Sequence, residues 1–291
     1  MMQATQQAGL VSPEQVTAFE RDGYLIVPQL FTAQQVAAIR ARFEVLAQAA
    51  QPIPGHWEPD PRNAPRNAPR NNSGPAAGYD PLKRYPRVMH PHRFDELSRR
   101  MLLHSGVHQV LKALMHEEPV ACQSMFYYKP PGARGQALHQ DNFYLEVRPR
   151  TCYAAWLAVD RAHPGNGGLY LVPGSQNLDI LCPEVANDQA SWTTHLVNPP
   201  KGMKAVPAEL LPGDVLFFNG SVIHGSGPNR SQEEWRRSWI CHYMPASTTH
   251  VSRSYFPIFD FQGRAIVYEA SAGGGPCGEA KKVSSYDPYG A

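Results

Sequence analysis

Two short segments of the chain carry side chains that bind transition metals. His139-Gln140-Asp141 places an imidazole and a carboxylate two residues apart, and His224 lies further along the chain. Residues i and i+2 of an extended strand point to the same face, so we expect His139 and Asp141 to converge. Two histidines and one carboxylate form a facial triad with open coordination positions, as in non-haem iron(II) oxygenases. The pattern predicts an iron site formed by His139, Asp141 and His224.

Two adjacent arginines follow the second histidine. Arg236 and Arg237 precede the apolar run 238–244, which has the composition of a strand. A guanidinium near the metal can bind the distal carboxylate of 2-oxoglutarate through two parallel hydrogen bonds. Successive strand residues face opposite sides, so only one of the two arginines is expected to point inward. The other is expected to be a solvated residue at the start of the strand.

Capping residues and apolar periodicity predict helices near the N-terminus and in the first half of the chain. Ser12 and Gln15 have the spacing of a capping box, and so do Thr32 and Gln35. Apolar residues recur at helical spacing after the second box. The predicted helices cover 12–20, 33–49 and stretches between 95 and 115.

Short β-rich runs follow, and clusters of Pro, Gly, Asn and Asp separate them. Several short strands with turn signals and no long helices between them favour an antiparallel sandwich or barrel, with the helices packed on one face. The predicted strands are 24–27, 120–129, 151–159, 169–172, 214–218 and 238–244.

Several sequence blocks follow one another in the order and at about the spacing found in one enzyme family. They are 19–24 (FERDGY), 123–125 (QSM), 138–141 (LHQD), 165–169 (GNGGL), 172–175 (VPGS), 212–215 (PGDV) and 224–229 (HGSGPN). With these blocks the chain resembles the phytanoyl-CoA dioxygenase-type (PhyH family) oxygenases, which use Fe(II) and 2-oxoglutarate. The resemblance implies a mainly β fold with flanking helices, a cupin-like double-stranded β-helix, or jelly roll.

The resemblance also implies roles for individual residues. The metal ligands match His139, Asp141 and His224, and the arginine that binds 2-oxoglutarate matches Arg236. One extra residue between His224 and that arginine leaves Arg237 as the alternative. Further positions that contact 2-oxoglutarate in the family match Gln123, Trp156 and Ser226.

The activity implied by the resemblance is a dioxygenase reaction with Fe(II), 2-oxoglutarate and O2. A small-molecule metabolite would be hydroxylated at an unactivated C–H bond, or desaturated or ring-closed there, with release of succinate and CO2. Related halogenases replace the carboxylate ligand with a small residue, so the presence of Asp141 favours hydroxylation over halogenation. Two alternatives stay open: a jelly-roll metal-dependent isomerase or lyase that does not use 2-oxoglutarate, and a non-catalytic metal-binding protein of the same fold.

Composition excludes several other classes of protein. The 291 residues carry 27 basic and 25 acidic side chains, a balance that gives no patch for nucleic acid. No apolar run is long enough to cross a membrane. Five scattered cysteines without a Cys-x-x-Cys motif argue against a disulfide framework and favour a reduced, cytoplasmic setting. Oligomeric state is not encoded in any pattern we recognise.

The chain is expected to form one domain, residues 1–291. Residues 1–50 and 95–116 would form a helical flank, 118–246 the jelly-roll core, and 247–291 a C-terminal extension. Residues 51–90 are rich in Pro, Asn, Arg and Gly and match no known block. A long segment of this composition inside a domain is usually either an active-site lid or disordered. The aromatic residues Trp57, Tyr79 and Tyr85 favour the lid, so the segment is the candidate for substrate selection.

Overall fold

The structure is a computed structural model that describes residues 10–48, 87–187 and 190–271. All of the candidate lid before residue 87 lies outside these ranges. Within them, no helix has the length and apolarity needed to cross a bilayer. The division of residues 1–291 into one domain with these boundaries stays a prediction.

Five α-helices are present in the described ranges, and the first begins and ends as its sequence predicts. Ser12 Oγ accepts a hydrogen bond from the Gln15 backbone at 3.3 Å, and the Gln15 side chain accepts one from the Ser12 backbone at 2.8 Å. Gly23 ends this helix with φ at +82°, a conformation that glycine adopts without strain. The helices are α1 (Pro13–Asp22), α2 (Ala33–Gln48), α3 (Glu96–Leu102), α4 (Ser105–Met115) and α5 (Asn142–Leu145).

The described ranges contain sixteen strands. They are β1 (Tyr24–Val27), β2 (Arg87–Met89), β3 (Pro119–Tyr127), β4 (Gln136–His139), β5 (Tyr153–Ala158), β6 (Leu169–Leu171), β7 (Glu184–Val185), β8 (His195–Leu196), β9 (Val206–Pro207), β10 (Val215–Asn219), β11 (His224–Ser226), β12 (Ser238–Pro245), β13 (His250–Val251), β14 (Ile258–Phe259), β15 (Ala265–Ile266) and β16 (Glu269–Ala270). The six predicted strands are all present, with ends shifted by at most two residues.

Two antiparallel sheets form the body of the fold. The major sheet has eight strands in the order β1-β10-β5-β12-β3-β14-β15, with β2 added beside β3. The minor sheet has four strands in the order β4-β11-β6-β9. The predicted mainly β fold, a double-stranded β-helix with flanking helices, is confirmed. In both sheets, many neighbouring strands come from distant parts of the sequence, as β1 and β10 do.

The core lies in two layers on either side of the major sheet. Between the two sheets, Trp156 and Ile240 of the major sheet pack with Leu171 of the minor sheet. On the outer face, α2 places Phe43 on Phe126 of β3, with ring centroids 4.0 Å apart and planes nearly parallel. The outer layer therefore holds the helices against the sheet, as predicted, and the inner layer packs between the two sheets.

Part of the predicted C-terminal extension belongs to the major sheet. β14 pairs with β3 through Phe259 and Ala121, and β15 pairs with β14. The edge of the jelly roll is thus covered by residues beyond 246. Pairing of this kind protects an edge strand from association with other chains.

The cysteines behave in two ways. Cys122, Cys152 and Cys241 are buried free thiols, and burial raises the pKa of each. Cys182 is disulfide-bonded, which the scattered spacing did not predict.

Candidate metal centre and 2-oxoglutarate site

The two histidines of the predicted triad are direct cross-strand partners in the minor sheet. His139 ends β4, His224 begins β11, and their ring centroids lie 4.3 Å apart. The Nδ1 atoms of these rings lie 2.8 Å from the carbonyl oxygen of Ala137 and 3.0 Å from that of Val222. A carbonyl can only accept, so each Nδ1 carries the proton and each Nε2 presents a lone pair. Both rings are therefore held in the tautomer that binds a metal through Nε2.

Asp141 joins the histidines, but not for the reason that the sequence indicated. The strand ends at His139, and Asp141 has helical backbone angles, with φ −62° and ψ −35°, at the start of α5. The expected strand alternation of positions 139 and 141 is therefore wrong. Instead the turn into α5 brings Oδ1 of Asp141 to 3.3 Å from Nε2 of His139 and Oδ2 to 3.5 Å from Nε2 of His224.

The cluster has the donor set and the burial expected of an iron(II) site. One ligand atom from each of the three residues lies within 4.8 Å of the others, and no second such cluster occurs in the described part of the chain. Burial lowers the pKa of His224 to about 4, which keeps its imidazole neutral. Burial alone would raise the pKa of Asp141, but His224 and His242 together outweigh it and hold that pKa well below its usual value. A neutral imidazole and an ionised carboxylate are the forms that bind a divalent cation.

A third histidine, which the sequence analysis missed, contacts the same carboxylate. Nε2 of His242 lies 2.8 Å from Oδ2 of Asp141, and its side chain is buried. The alternation of side chains along β12 could have identified His242 from the sequence, because positions 236, 238, 240 and 242 share one face. Hydrogen bonds to a ligating carboxylate fix its orientation, so His242 lies in the supporting shell of the candidate metal centre.

The adjacent arginines lie in opposite environments. Arg236 is buried, donates from Nε to the Gly167 carbonyl oxygen at 3.0 Å, and from Nη1 to Ser238 Oγ at 3.0 Å. Arg237 points outward, where Asp160 holds it at 2.7 Å and Glu44 also pairs with it. The inward arginine is thus Arg236, and the outward one is already neutralised by carboxylates.

Trp156 lies beside the Arg236 guanidinium. The Cζ atom of Arg236 lies 5.4 Å from the centre of the Trp156 ring, in cation–π range. Ser226 ends β11, and its Oγ accepts a hydrogen bond from Lys129 Nζ at 2.9 Å. The Arg236 backbone N–H donates to the Lys129 carbonyl oxygen, which places this lysine next to Arg236 in the fold. Trp156 and Ser226 were expected as contacts of 2-oxoglutarate, whereas the sequence analysis did not single out Lys129.

Gln123, the third expected contact, lies deeper along β3. It is the cross-strand partner of His242, and its side chain is buried. No side-chain hydrogen bond of Gln123 is present within residues 10–48, 87–187 and 190–271. Its expected contact with 2-oxoglutarate stays a prediction.

Aromatic residues from α5 and β8 line the other side of the triad. Tyr144 and His195 stack, and the Tyr144 hydroxyl lies 3.0 Å from His195 Nδ1. Burial and the charge of Asp141 raise the pKa of Tyr144 to about 12. The Tyr144 ring centroid lies 6.2 Å from that of His139. This aromatic wall faces the candidate metal centre.

Comparisons with known proteins agree with this geometry. Residues 19–238 match the family model described as Phytanoyl-CoA dioxygenase (PhyH). The chain is 27% identical over 242 residues to "Phytanoyl-CoA dioxygenase 1" of Oryza sativa subsp. japonica, across 77% of this chain and 86% of that protein.

Solved structures share the fold. EctD from S. alaskensis, crystallised with 2-oxoglutarate and 5-hydroxyectoine, has a TM-score of 0.63 at 20% identity, over 84% of this chain and 80% of that one. SnoN, a non-haem α-ketoglutarate-dependent epimerase from nogalamycin biosynthesis, has a TM-score of 0.60 at 21% identity, over 81% and 83% of the two chains.

Iron and 2-oxoglutarate, the expected cofactors, are thus the groups named for proteins of this fold. Structures described with bound Fe or with 2-oxoglutarate are among those similar to this chain. The match to the family model covers more than half of the sequence and includes the triad and Arg236. The chain belongs to the phytanoyl-CoA dioxygenase family.

Proposed function

We propose that this protein is an Fe(II)- and 2-oxoglutarate-dependent dioxygenase that hydroxylates an unactivated C–H bond of a small molecule. The observation that carries the proposal is the buried cluster of His139, Asp141 and His224, together with Arg236, which is buried beside Trp156. Succinate and CO2 would be the products of 2-oxoglutarate. The cluster fits Fe(II) because two imidazoles and one carboxylate leave positions open for other ligands.

The residues of the chain divide into three roles in this proposal. His139, Asp141 and His224 would hold Fe(II), which with 2-oxoglutarate and O2 supplies the oxidising chemistry. Arg236 would bind the distal carboxylate of 2-oxoglutarate, and Trp156 packs beside its guanidinium. The positions of these residues in the structure support the roles that the family resemblance implies for them.

The inner core layer would keep water away from the reacting atoms. Phe218 packs on His224 with ring centroids 4.5 Å apart, and Trp156 and Ile240 of the major sheet are buried in the same layer. A dry site strengthens each charge interaction within it. The aromatic wall of Tyr144 and His195 would then face the substrate, and a small molecule with an apolar or ring-bearing surface suits it.

An anaerobic spectrum tests cofactor, co-substrate and site together. Fe(II) chelated by the keto acid gives a weak visible charge-transfer band, which we expect in the wild-type protein. His224→Ala should abolish the band. In Arg236→Met, the band should form only at a much higher concentration of 2-oxoglutarate. Arg237→Met is the matched control and should bind 2-oxoglutarate as the wild type does.

The outcomes separate the alternatives. A folded, metal-loaded wild-type protein without the band would refute the use of 2-oxoglutarate and favour a metal-dependent isomerase or lyase of the same fold. A band without succinate formation in the presence of candidate substrates and O2 would favour a non-catalytic role. Equal effects of Arg236→Met and Arg237→Met would remove the assignment of Arg236.

A further inference from the structure

A buried lysine lies beside the inward arginine without a carboxylate partner. Lys129 is 3% exposed, and Arg236 is 3% exposed. No acidic side chain within residues 10–48, 87–187 and 190–271 forms an ion pair with either of them, whereas the outward Arg237 pairs with two. Two buried positive charges that lie close together, without an internal counter-ion, are costly for the protein alone. Such a pair indicates a site for an anion that comes from outside the chain.

The backbone around Gly167 brings the two cations together. Arg236 Nε donates to the Gly167 carbonyl oxygen, and the Arg236 backbone N–H donates to the Lys129 carbonyl oxygen at 3.1 Å. A Cβ added to Gly167 would lie 2.5 Å from Lys129 Cε and 2.9 Å from its Nζ. The absence of a side chain at position 167 is therefore what gives the lysine room beside Arg236.

The hydrogen bonds of Lys129 leave one donor of its ammonium free. An ammonium has three N–H bonds. Nζ donates to Ser226 Oγ at 2.9 Å and to the Gly227 carbonyl oxygen at 2.5 Å. No third acceptor lies within reach in the described part of the chain. Burial lowers the pKa of Lys129 well below its usual value, and Arg236 adds to this, so a bound anion would relieve both effects.

Lys129 also fixes the direction in which Ser226 can donate. Ser226 Oγ accepts from Lys129 Nζ and, at 3.3 Å, from the Gln136 backbone N–H. Both lone pairs of the hydroxyl are then occupied, so its single hydrogen must be donated to another acceptor. None is found among the described residues. The free donors of Lys129, Ser226 and Arg236 together match a carboxylate, which has about four acceptor positions.

We propose that Lys129 is a second cation of the 2-oxoglutarate site, which holds the distal carboxylate together with Arg236 and orients the Ser226 hydroxyl towards it. The inference rests on the proposed function, since it assigns the anion as 2-oxoglutarate. The specificity that follows is for a keto acid with two carboxylates. A monocarboxylate of the same length lacks the group that both cations would neutralise.

The test compares two ligands in one variant. Lys129→Met keeps the length of the side chain and removes its charge, and Lys112→Met is the control for an exposed lysine outside the site. Dissociation constants for 2-oxoglutarate and for 2-oxopentanoate, which lacks the distal carboxylate, are measured from the anaerobic charge-transfer band. We expect Lys129→Met to weaken 2-oxoglutarate binding about 10- to 100-fold, the scale of a lost charge-assisted hydrogen bond. Binding of 2-oxopentanoate should change by less than about threefold, since the lost interaction is with the missing carboxylate.

The two-ligand comparison distinguishes this inference from the proposed function. No band in the wild type would refute the use of 2-oxoglutarate itself. A wild-type band with unchanged 2-oxoglutarate affinity in Lys129→Met would overturn the role of Lys129 alone. Equal losses for both ligands would also overturn it, because they would reveal a purely structural lysine. Should Lys129→Met fail to fold, Lys129→Gln carries the same comparison.

Discussion

His242 and His224 approach the same oxygen of Asp141 from different strands. Nε2 of His242 lies 2.8 Å from Oδ2, and Nε2 of His224 lies 3.5 Å from it. The shorter contact comes from the histidine that is not a member of the candidate triad. The carboxylate is thus oriented by β12 of the major sheet while its proposed ligand partners belong to the minor sheet. Both sheets contribute to the geometry of one side chain.

Removal of His242 is expected to weaken metal binding. His242→Ala should lower Fe(II) affinity about 10- to 100-fold, since outer-shell partners of metal ligands have effects of this size. His242→Gln can still donate to Asp141 and should recover most of the affinity. Metal titration of the apo protein under anaerobic conditions measures both. Wild-type affinity in His242→Ala would show that the hydrogen bond to Asp141 does not position the carboxylate.

Removal of the carboxylate itself is expected to abolish the reaction. Asp141→Ala leaves two imidazoles at the site, so both Fe(II) affinity and succinate formation should fall below detection. Asp22→Ala, which removes a half-buried carboxylate that is paired with Arg21 and lies outside the site, is the control and should behave as wild type. Succinate is quantified after incubation with Fe(II), 2-oxoglutarate and O2. Hydroxylation and succinate production at wild-type levels in Asp141→Ala would contradict the proposed triad.

Gly225 sets the distance between the strands that carry the two histidines. A Cβ at this position would lie 2.7 Å from the Gln136 carbonyl oxygen and 3.0 Å from the Leu138 backbone nitrogen. Backbone atoms cannot move aside as a flexible side chain can, so Gly225→Ala should force β4 and β11 apart. We expect a loss of about 1–3 kcal/mol in the free energy of unfolding, the usual size of an overpacking effect.

The same substitution should also weaken Fe(II) binding, because His139 and His224 belong to the separated strands. Gly227→Ala is the matched control, since its Cβ would meet only the Tyr170 ring at 3.8 Å. Chemical denaturation and metal titration are run on both variants. Unchanged metal affinity in Gly225→Ala would show that the strand spacing does not govern the site.

Two buried histidines near the major sheet predict a loss of stability in acid. Burial first, and nearby arginines second, lower the pKa of His90 to about 2 and that of His92 to about 3. The folded protein keeps both rings neutral, whereas the unfolded chain protonates them near pH 6.5. Stability from these groups is therefore complete above that pH and is lost as the pH falls towards 3. Each contributes a slope of about 1.4 kcal/mol per pH unit in this window.

The variant His92→Gln isolates one of these contributions. Between pH 6 and pH 4, the free energy of unfolding of this variant should fall less steeply than that of the wild type. The difference between the two slopes should be about 1.4 kcal/mol per pH unit. The glutamine amide can still reach Ser124 Oγ, which lies 2.6 Å from Nδ1 of His92. Urea denaturation at several pH values gives the slopes. Parallel slopes in the variant and the wild type would mean that His92 is protonated in the folded protein.

The sequence predicted the local elements well because local chemistry decides them. The Ser12 capping box and Gly23 determine the bounds of α1, and largely apolar runs between turn residues mark β5 and β12. The sheet order could not be read from these patterns, since β10 lies between β1 and β5 only through long-range pairing. Short strands such as β7 and β8 have too few residues to show a periodicity.

The site was predicted in its residue types and not in its local geometry. His139 and Asp141 were expected on one strand, but a helical turn at Asp141 brings them together. His242 and Lys129 were missed because each acts next to residues that are distant in sequence. Arg236 and Arg237 were distinguished only by burial and by the carboxylates of the neighbouring helix and loop. Residue type and spacing thus identify a candidate ligand set, while the surrounding shell depends on tertiary contacts.

The pairing of His139 with His224 has a consequence for the stability of the whole fold. An ion held by both residues would act as a reversible cross-link between two strands that enclose the entire segment from β5 to β10. Closing a long loop removes chain entropy from the unfolded ensemble, and binding to the folded form alone raises its stability with ion concentration. The melting temperature should therefore rise with each increment of free Fe(II). The amide hydrogens of β4 and β11 should become the most strongly protected from exchange.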